Sequence, residues 1–211
     1  MDNGSCPTGP GGYSDCDLTA ALLARAREKN RPVERDDAWQ QALPRARQVE
    51  LLLLDVDGVL SDGTIIYTHD GGESKGFNTQ DGFGLRMLQD SGIQVGVITA
   101  RSSEAVSRRA RDLGFAHVYQ GRGDKQAVYE EILTRTGLRP QQTAYMGDDW
   151  LDLPLLTRVG FAAAPATAVP EVRQRVDYVT RRPAGHGAVR EVCDLILEAR
   201  GDLARFLRKY I

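Results

Sequence analysis

Short apolar runs alternate with amphipathic stretches from Leu51 to the end of the chain. The runs predict six strands, at 51–54, 95–98, 117–119, 143–146, 161–164 and 178–180. Between them, apolar residues at helical spacing predict helices near 85–91, 103–113, 125–136 and 150–159. Strand and helix in alternation predict an α/β fold, with a doubly wound, Rossmann-like parallel sheet and helices on both faces.

One segment departs from this alternation. Residues 64–67 and 73–78 are two short extended stretches, separated by the turn sequence Asp70-Gly71-Gly72, and they predict a β-hairpin. The hairpin follows the first strand, so we expect it over the carboxyl ends of the strands, where ligands bind in such folds. An isolated two-stranded hairpin is marginally stable, and a partner subunit is one candidate for the surface that covers it.

The first 48 residues have a different composition. Residues 1–16 are rich in Gly, Pro, Ser and Asp, which predicts a mobile start, and residues 17–48 have helical character. We find no chemistry in this segment and interpret it as a packing or assembly extension. The predicted organisation is an extension at 1–48, an α/β domain at 49–200 and a tail at 201–211.

Composition excludes several classes of function. Hydrophobic residues make up 41% of the 211 residues and charged residues 27%, which is typical of a globular protein. A net charge of −2 argues against a nucleic-acid partner, and no apolar run approaches the ~20 residues that span a bilayer. Three cysteines fit neither a disulfide framework nor a zinc motif, and the amino terminus lacks the pattern of a secretion signal. We therefore expect a cytoplasmic protein.

Polar residues that are suited to catalysis or ligand binding follow the predicted strands. Asp55 and Asp57 end the first, and alternation in an extended chain would turn both carboxylates into the crevice, although such a pair can also simply end a strand. Thr99 ends the second, where its hydroxyl and the amides that follow would cradle an anion. Each signal alone is moderate.

Two further strand ends complete the set. Lys125 opens a predicted helix, where the helix dipole disfavours a cation, so a nearby anion would explain it. Gly147 is followed by Asp148, Asp149 and, three residues later, Asp152, a pattern that suits Mg²⁺. A nucleophilic carboxylate, a metal, a hydroxyl and an ammonium are the groups that phosphoryl transfer through an aspartyl-phosphate requires. The second carboxylate can protonate the leaving alcohol and then take a proton from water.

The order of these motifs resembles the haloacid-dehalogenase superfamily. More closely, residues 51–200 resemble the 3-deoxy-D-manno-octulosonate 8-phosphate phosphatase family, whose members act in lipopolysaccharide precursor synthesis. The stretches that carry the likeness are LLLLDVDGVLSDG, KGFNTQDGFGLRML, VITARSS, YQGRGDK, AYMGDDWLD and GAVREVCDLIL.

The resemblance implies roles for individual residues. Asp55 would be the nucleophile and Asp57 the acid and base, with Thr99 and Lys125 also catalytic. Mg²⁺ would be held by Asp55, the Asp57 carbonyl and Asp148, with Asp149 or Asp152 in support. The substrate would be a small phosphorylated sugar acid. Its pocket would be lined by Asn78, Thr79, Gln80, Asp81, Gly82, Arg86, Arg101 and Arg109. The resemblance also implies a capless fold and a homotetramer, in which the hairpin and a neighbour's tail cover each site.

Other interpretations stay open at this point. Gln80 and His186 stand where family sequences often carry arginine, so a nine-carbon sugar-acid 9-phosphate or another sugar phosphate is an alternative substrate. A receiver domain has similar groups, but its acidic pair and its acceptor aspartate come in a different order. The intact Asp55 and Asp57 speak against a noncatalytic scaffold, and the lack of a large cap speaks against a phosphomutase.

Overall fold

The computed structural model describes residues 15–29, 33–69 and 71–210, and it divides the chain into the units Met1–Asp36 and Asp37–Ile211. The first unit contains helix α1 (Asp15–Lys29), whose Leu18 and Leu22 are exposed. Cys16 of this helix is disulfide-bonded, which the spacing of the cysteines did not predict. The predicted mobile start lies, for residues 1–14, outside the described residues.

A six-stranded parallel sheet forms the centre of the second unit. Its strands are β1 (Leu51–Leu54), β4 (Gln94–Ile98), β5 (His117–Tyr119), β6 (Thr143–Met146), β7 (Phe161–Ala164) and β8 (Tyr178–Val179). Two further strands, β2 (Ile66–Tyr67) and β3 (Glu73–Ser74), lie outside it. The sheet has the order β5-β4-β1-β6-β7-β8, and β2 and β3 pair antiparallel as the predicted hairpin. The fold class is therefore confirmed: the sheet is parallel, and the short hairpin follows β1 as predicted.

The helices of this unit connect the strands. They are α2 (Asp37–Ala46), α3 (Thr79–Asp90), α4 (Glu104–Leu113), α5 (Lys125–Thr136), α6 (Leu153–Leu156), α7 (Pro170–Arg173), α8 (Ala188–Ala199) and α9 (Leu203–Leu207), with 3₁₀ turns at Pro140–Gln142 and Trp150–Asp152. The predicted helix at 150–159 is thus a 3₁₀ turn followed by one short α-helix. A proline at the start of α6 suits a helix that begins anew there.

The core consists of one apolar layer on each face of the sheet. Strand β1 is buried on both faces, and its residues alternate between the layers: Leu52 and Leu54 pack with α2, α3 and α8, whereas Leu51 and Leu53 pack with α5 and α6. A strand covered on both faces has no polar position, which explains its run of four leucines. This buried strand fixes the position of the residue that follows it, Asp55.

Buried residues extend beyond both ends of the predicted α/β domain. The second unit begins at Asp37 rather than at residue 49, because Trp39 and Ala42 of α2 are buried in the layer that includes α8. The Trp39 indole packs edge-on against Tyr178, with 6.0 Å between ring centroids. In the predicted tail, Phe206 of α9 is buried in the same layer. Residues on both sides of the predicted domain therefore contribute to its core.

No described helix has the length and apolar character needed to cross a membrane.

Candidate active site

A pocket at the carboxyl ends of β1, β4 and β6 brings together the predicted catalytic and metal-binding residues. These strands lie side by side, so the residues that follow them meet at one edge of the sheet. The polar residues that line the pocket are Asp55, Asp57, Thr99, Arg101, Lys125, Asp148, Asp149 and Asp152.

Lys125 holds two carboxylates from different loops. Its Nζ donates to Asp55 Oδ1 at 2.8 Å and to Asp152 Oδ1 at 2.6 Å, and it also donates to the Tyr145 hydroxyl at 3.2 Å. Burial alone would lower the pKa of Lys125, but Asp152 and Asp55 raise it above its ordinary value. The lysine is therefore a charged ammonium in a site from which water is largely excluded. Its place at the start of α5 is explained, as predicted, by nearby anions.

Three carboxylates stand close enough to share one cation. Asp55, Asp148 and Asp152 each offer an oxygen, and these oxygens lie within 4.8 Å of one another. Burial, only partly offset by Lys125, raises the pKa of Asp55 to about 6. Burial, with Asp152 and Asp55 beside it, raises the pKa of Asp148 to about 7. One ammonium does not balance three carboxylates, and hard oxygen ligands of this kind fit Mg²⁺.

Asp152 orients the loop that carries Asp148. Its Oδ2 accepts hydrogen bonds from the backbone N–H of Asp148 at 2.9 Å and of Asp149 at 3.2 Å. Its Oδ1 accepts from Lys125 and from the Tyr145 hydroxyl, the latter at 2.6 Å. Asp149 is exposed and caps the following 3₁₀ turn through Trp150 N–H at 2.7 Å. The geometry thus gives Asp152 a supporting role and leaves Asp149 outside the carboxylate cluster.

Gly58 is required by the approach of Asp148. Its φ of +89° is unfavourable for other residues, and a Cβ at this position would collide with the Asp148 carboxylate. The loop after β1 and the loop after β6 can therefore come together only with glycine here.

Asp57 lines the pocket but does not share the partners of Asp55. Lys75 of the hairpin donates to Asp57 Oδ1, and Ser61 Oγ donates to the same oxygen at 3.4 Å. Arg101 Nε lies 3.7 Å from Asp57 Oδ2. The alternation that predicted two parallel carboxylates does not apply, because β1 ends at Leu54 and the chain turns from residue 56 onward.

The residues predicted to bind substrate lie mainly around the start of α3, outside the lining of this pocket. Asn78 caps α3, accepting from Gln80 N–H at 2.7 Å. Arg109 donates to the Asn78 carbonyl at 3.0 Å and contacts the face of Phe77, while Arg86 donates to the Asp112 carbonyl at 3.1 Å. Thr79 and Gln80 are exposed, and Gly82 lies against Arg109. Of the predicted substrate set, Arg101 lines the pocket, and the substrate roles stay predictions.

Asp81 is buried and joins two helices. Its Oδ1 accepts from Arg190 N–H at 2.7 Å and its Oδ2 accepts from Gly187 N–H at 3.3 Å. A carboxylate at the amino end of a helix satisfies otherwise unpaired N–H groups and is favoured by the helix dipole. Asp81 therefore acts as the cap of α8 in this structure.

Sequence reasoning missed Tyr145 and Lys75. Alternation along β6 could have found Tyr145, because it lies two residues before Gly147 on the same face as Leu51 and Leu53. No local signal distinguishes Lys75, which reaches Asp57 only because the hairpin folds over the site.

A parallel sheet with this acidic edge, a lysine and a threonine is typical of the haloacid dehalogenase-like class of hydrolases, and the order of these residues along the chain matches it. The family model of that description matches residues 113–192. The 3-deoxy-D-manno-octulosonate 8-phosphate phosphatase of Escherichia coli K12 is 45% identical over 161 residues, which cover 76% of this chain and 86% of the relative. The Yersinia pestis phosphatase of the same name is 47% identical with the same coverage.

Solved structures agree with the sequence relatives. The phosphatase of this name from Moraxella catarrhalis, crystallised with a magnesium ion, a phosphate ion and a KDO molecule, has a TM-score of 0.79. It is 39% identical and covers 84% of this chain and 100% of its own. The Yersinia pestis crystal structure has a TM-score of 0.77 at 46% identity and covers 78% of this chain and 89% of its own. The chain belongs to the 3-deoxy-D-manno-octulosonate 8-phosphate phosphatase family.

Proposed function

We propose that this phosphatase hydrolyses 3-deoxy-D-manno-octulosonate 8-phosphate to the free sugar acid and inorganic phosphate, with Mg²⁺ as cofactor, in lipopolysaccharide precursor synthesis. The observation that carries the proposal is the Asp55 carboxylate, which is held by Lys125 in a pocket that also contains Asp57, Thr99 and Asp148. The substrate named for the relatives supports the choice of sugar acid.

The reaction proceeds in two displacements at phosphorus. The Asp55 carboxylate attacks, the bond from phosphorus to the sugar oxygen breaks, and Asp57 gives its proton to that oxygen. Asp57 then takes a proton from a water molecule, whose oxygen attacks the aspartyl-phosphate and releases Asp55. Lys125 and Thr99 offset the charge on the transferring oxygens. One water molecule is consumed for each phosphate released.

Asp55, Asp148 and the Asp57 carbonyl are the proposed ligands of Mg²⁺, with Asp152 in support. The bound ion would neutralise charge on the phosphoryl oxygens. The closeness of three carboxylates to one lysine supports this assignment, because the site otherwise carries excess negative charge.

Replacing Asp55 by asparagine tests the nucleophile. We expect Asp55→Asn to lose nearly all phosphate release with Mg²⁺ present, while Asp90→Asn, an exposed carboxylate at the end of α3, keeps full turnover. Circular dichroism and size-exclusion profiles should be unchanged in both variants. Undiminished turnover by Asp55→Asn would overturn the proposed chemistry.

A second candidate substrate is motivated by Gln80 and His186, which stand where family sequences often carry arginine. Gln80 accepts a hydrogen bond from Arg182 Nη1 at 3.3 Å. A nine-carbon sugar-acid 9-phosphate is therefore the alternative substrate. A turnover screen of the wild-type enzyme against eight-carbon and nine-carbon sugar-acid phosphates and common hexose phosphates separates the cases. Preference for a hexose phosphate would refute the sugar-acid assignment but not the phosphatase.

The homotetramer and the cytoplasmic location are further parts of the proposal. The exposed apolar residues Ile66 and Tyr67 of the hairpin, with Leu207 and Tyr210 near the carboxyl end, support an assembly that covers them. Sedimentation equilibrium of the full chain should give four times the mass of the 23.2 kDa protomer. A monomer at micromolar concentration would contradict the assembly.

A further inference from the structure

Lys75, on the hairpin, contacts the proposed acid and base of the reaction. Its Nζ donates to Asp57 Oδ1 and lies 3.0 Å from Glu73 Oε1. The side chain of Lys75 is fully buried although its backbone lies on a surface hairpin. A lysine side chain is rarely buried without paired carboxylates, so both contacts are needed to keep it there.

Asp57 and three other charged side chains form a ring of alternating charge. Glu73 accepts from Arg101 Nη2 at 2.6 Å, and Arg101 Nε lies 3.7 Å from Asp57 Oδ2. We call Asp57, Lys75, Glu73 and Arg101 the charge ring. Two of its members belong to the hairpin and two to the loops after β1 and β4.

The charge ring connects the hairpin to the site. The exposed Ile66 and Tyr67 of the hairpin's first strand bury little apolar surface within the protomer. Within the described residues of one protomer, ion pairs are therefore a principal connection between this hairpin and the sheet.

Removal of Lys75 would change the surroundings of Asp57 directly. Without the ammonium that contacts both of them, the carboxylates of Asp57 and Glu73 would share only Arg101, and like charges repel. An acid and base must stay within hydrogen-bond reach of the atom that it serves. A displacement of about 1 Å in a catalytic group costs about a hundredfold in rate.

We propose that Lys75 is a positioning residue, which holds the Asp57 carboxylate in place for proton transfer and makes the hairpin part of the catalytic apparatus. This inference rests on the proposed function, in which Asp57 is the acid and base. Lys75 acts through Asp57 and does not itself contact the transferring phosphoryl group.

Steady-state kinetics of four enzymes test the proposal. We expect Lys75→Met to lower kcat about a hundredfold with KM changed less than about threefold. Lys75→Arg, which restores a cation, should have a kcat at least about tenfold higher than that of Lys75→Met. The control is Arg158→Gln, which removes one positive charge from the exposed turn after α6 and should match the wild type. A rise in KM with unchanged kcat would instead make Lys75 a substrate ligand and overturn the proposal.

A double-mutant cycle separates positioning from a general structural role. In an Asp57→Ala background, which has already lost the acid and base, Lys75→Met should change the residual kcat by less than about threefold. An equal loss in both backgrounds would overturn the proposal, because Lys75 would then act independently of Asp57.

Hydrogen exchange gives a readout that does not depend on turnover. Lys75→Met and Asp57→Ala should each speed amide exchange in residues 64–76, and Arg158→Gln should not. Unchanged hairpin exchange in Asp57→Ala would refute the Lys75–Asp57 contact even if no substrate were known. If exchange changes as expected but wild-type enzyme hydrolyses no phosphate monoester, the proposed function fails instead.

Discussion

Replacing Lys125 by methionine removes the ammonium between Asp55 and Asp152 while keeping the length of the side chain. Both contacts are short, at 2.8 and 2.6 Å, and the side chains of Lys125 and Asp152 are only 3% and 1% exposed. Removing one partner of a buried ion pair costs about 3–5 kcal/mol, because the remaining charge stays buried without compensation. Two carboxylates lose their partner here, so we expect the metal-free variant to be about 4 kcal/mol less stable than the wild type.

The cost should depend on pH in a defined direction. Lys125 lowers the pKa of Asp55, which burial nevertheless raises to about 6, so its removal raises that pKa further. A carboxyl whose pKa is raised by folding stabilises the native state at low pH, and this contribution is lost as the pH rises through the folded-state pKa. At about pH 5 Asp55 can take up a proton and relieve the buried charge. Each unit of pKa shift corresponds to about 1.4 kcal/mol, so the loss at about pH 8 should exceed that at pH 5 by at least ~1 kcal/mol.

Urea unfolding in the presence of EDTA measures both quantities. Wild type and Lys125→Met are compared at about pH 5 and pH 8, with Lys209→Met, an exposed lysine, as the control that should lose less than about 1 kcal/mol. Equal losses for the two variants, or a loss from Lys125→Met that does not grow with pH, would refute the reasoning.

Three further predictions follow from the same contacts. Added Mg²⁺ should raise Tm more at about pH 8 than at about pH 5. Protons compete with the metal for Asp55 and Asp148, whose pKa values are about 6 and about 7. Equal shifts of Tm at the two pH values in differential scanning fluorimetry would contradict this. Tyr145→Phe removes one hydrogen bond to the buried Asp152 and should cost about 1–2 kcal/mol in urea unfolding, whereas no change would mean that Lys125 alone satisfies that oxygen. Trp39→Ala should lower the free energy of unfolding by about 3–5 kcal/mol, because the indole is buried against Tyr178. No change in that free energy would show that α2 does not stabilise the α/β domain.

The parts of the fold that sequence predicted well are those with strong local patterns. The strand at 51–54 and the helix at 125–136 were predicted with their observed limits, because four consecutive leucines mark the strand and the left-handed Gly137 ends the helix. The place of α2 was missed because its buried residues, Trp39, Ala42 and Ala46, pack in a layer that includes β8 and α8, which follow more than a hundred residues later. Local patterning carries no information about such a contact.

The same distinction explains what was predicted of the site. Topology alone places the residues after β1, β4 and β6 at one edge of the sheet, so the meeting of Asp55, Thr99 and Asp148 could be predicted from a reading of strand ends. The partners of each carboxylate could not. They depend on where the chain leaves the strand, and β1 ends one residue before Asp55.

Because β1 ends before Asp55, the two carboxylates of the Asp-x-Asp motif have different partners. Had the strand continued through Asp57, alternation would have turned both carboxylates toward Lys125, and three acids would compete for one ammonium. The turn instead gives Asp57 a cation of its own, Lys75, on an element that the nucleophile does not contact. In the proposed reaction, Asp55 can therefore remain an ionised nucleophile beside Lys125, while Asp57 is held by the hairpin for proton transfer. The division of roles between two carboxylates follows from one turn in the backbone and one lysine on the hairpin.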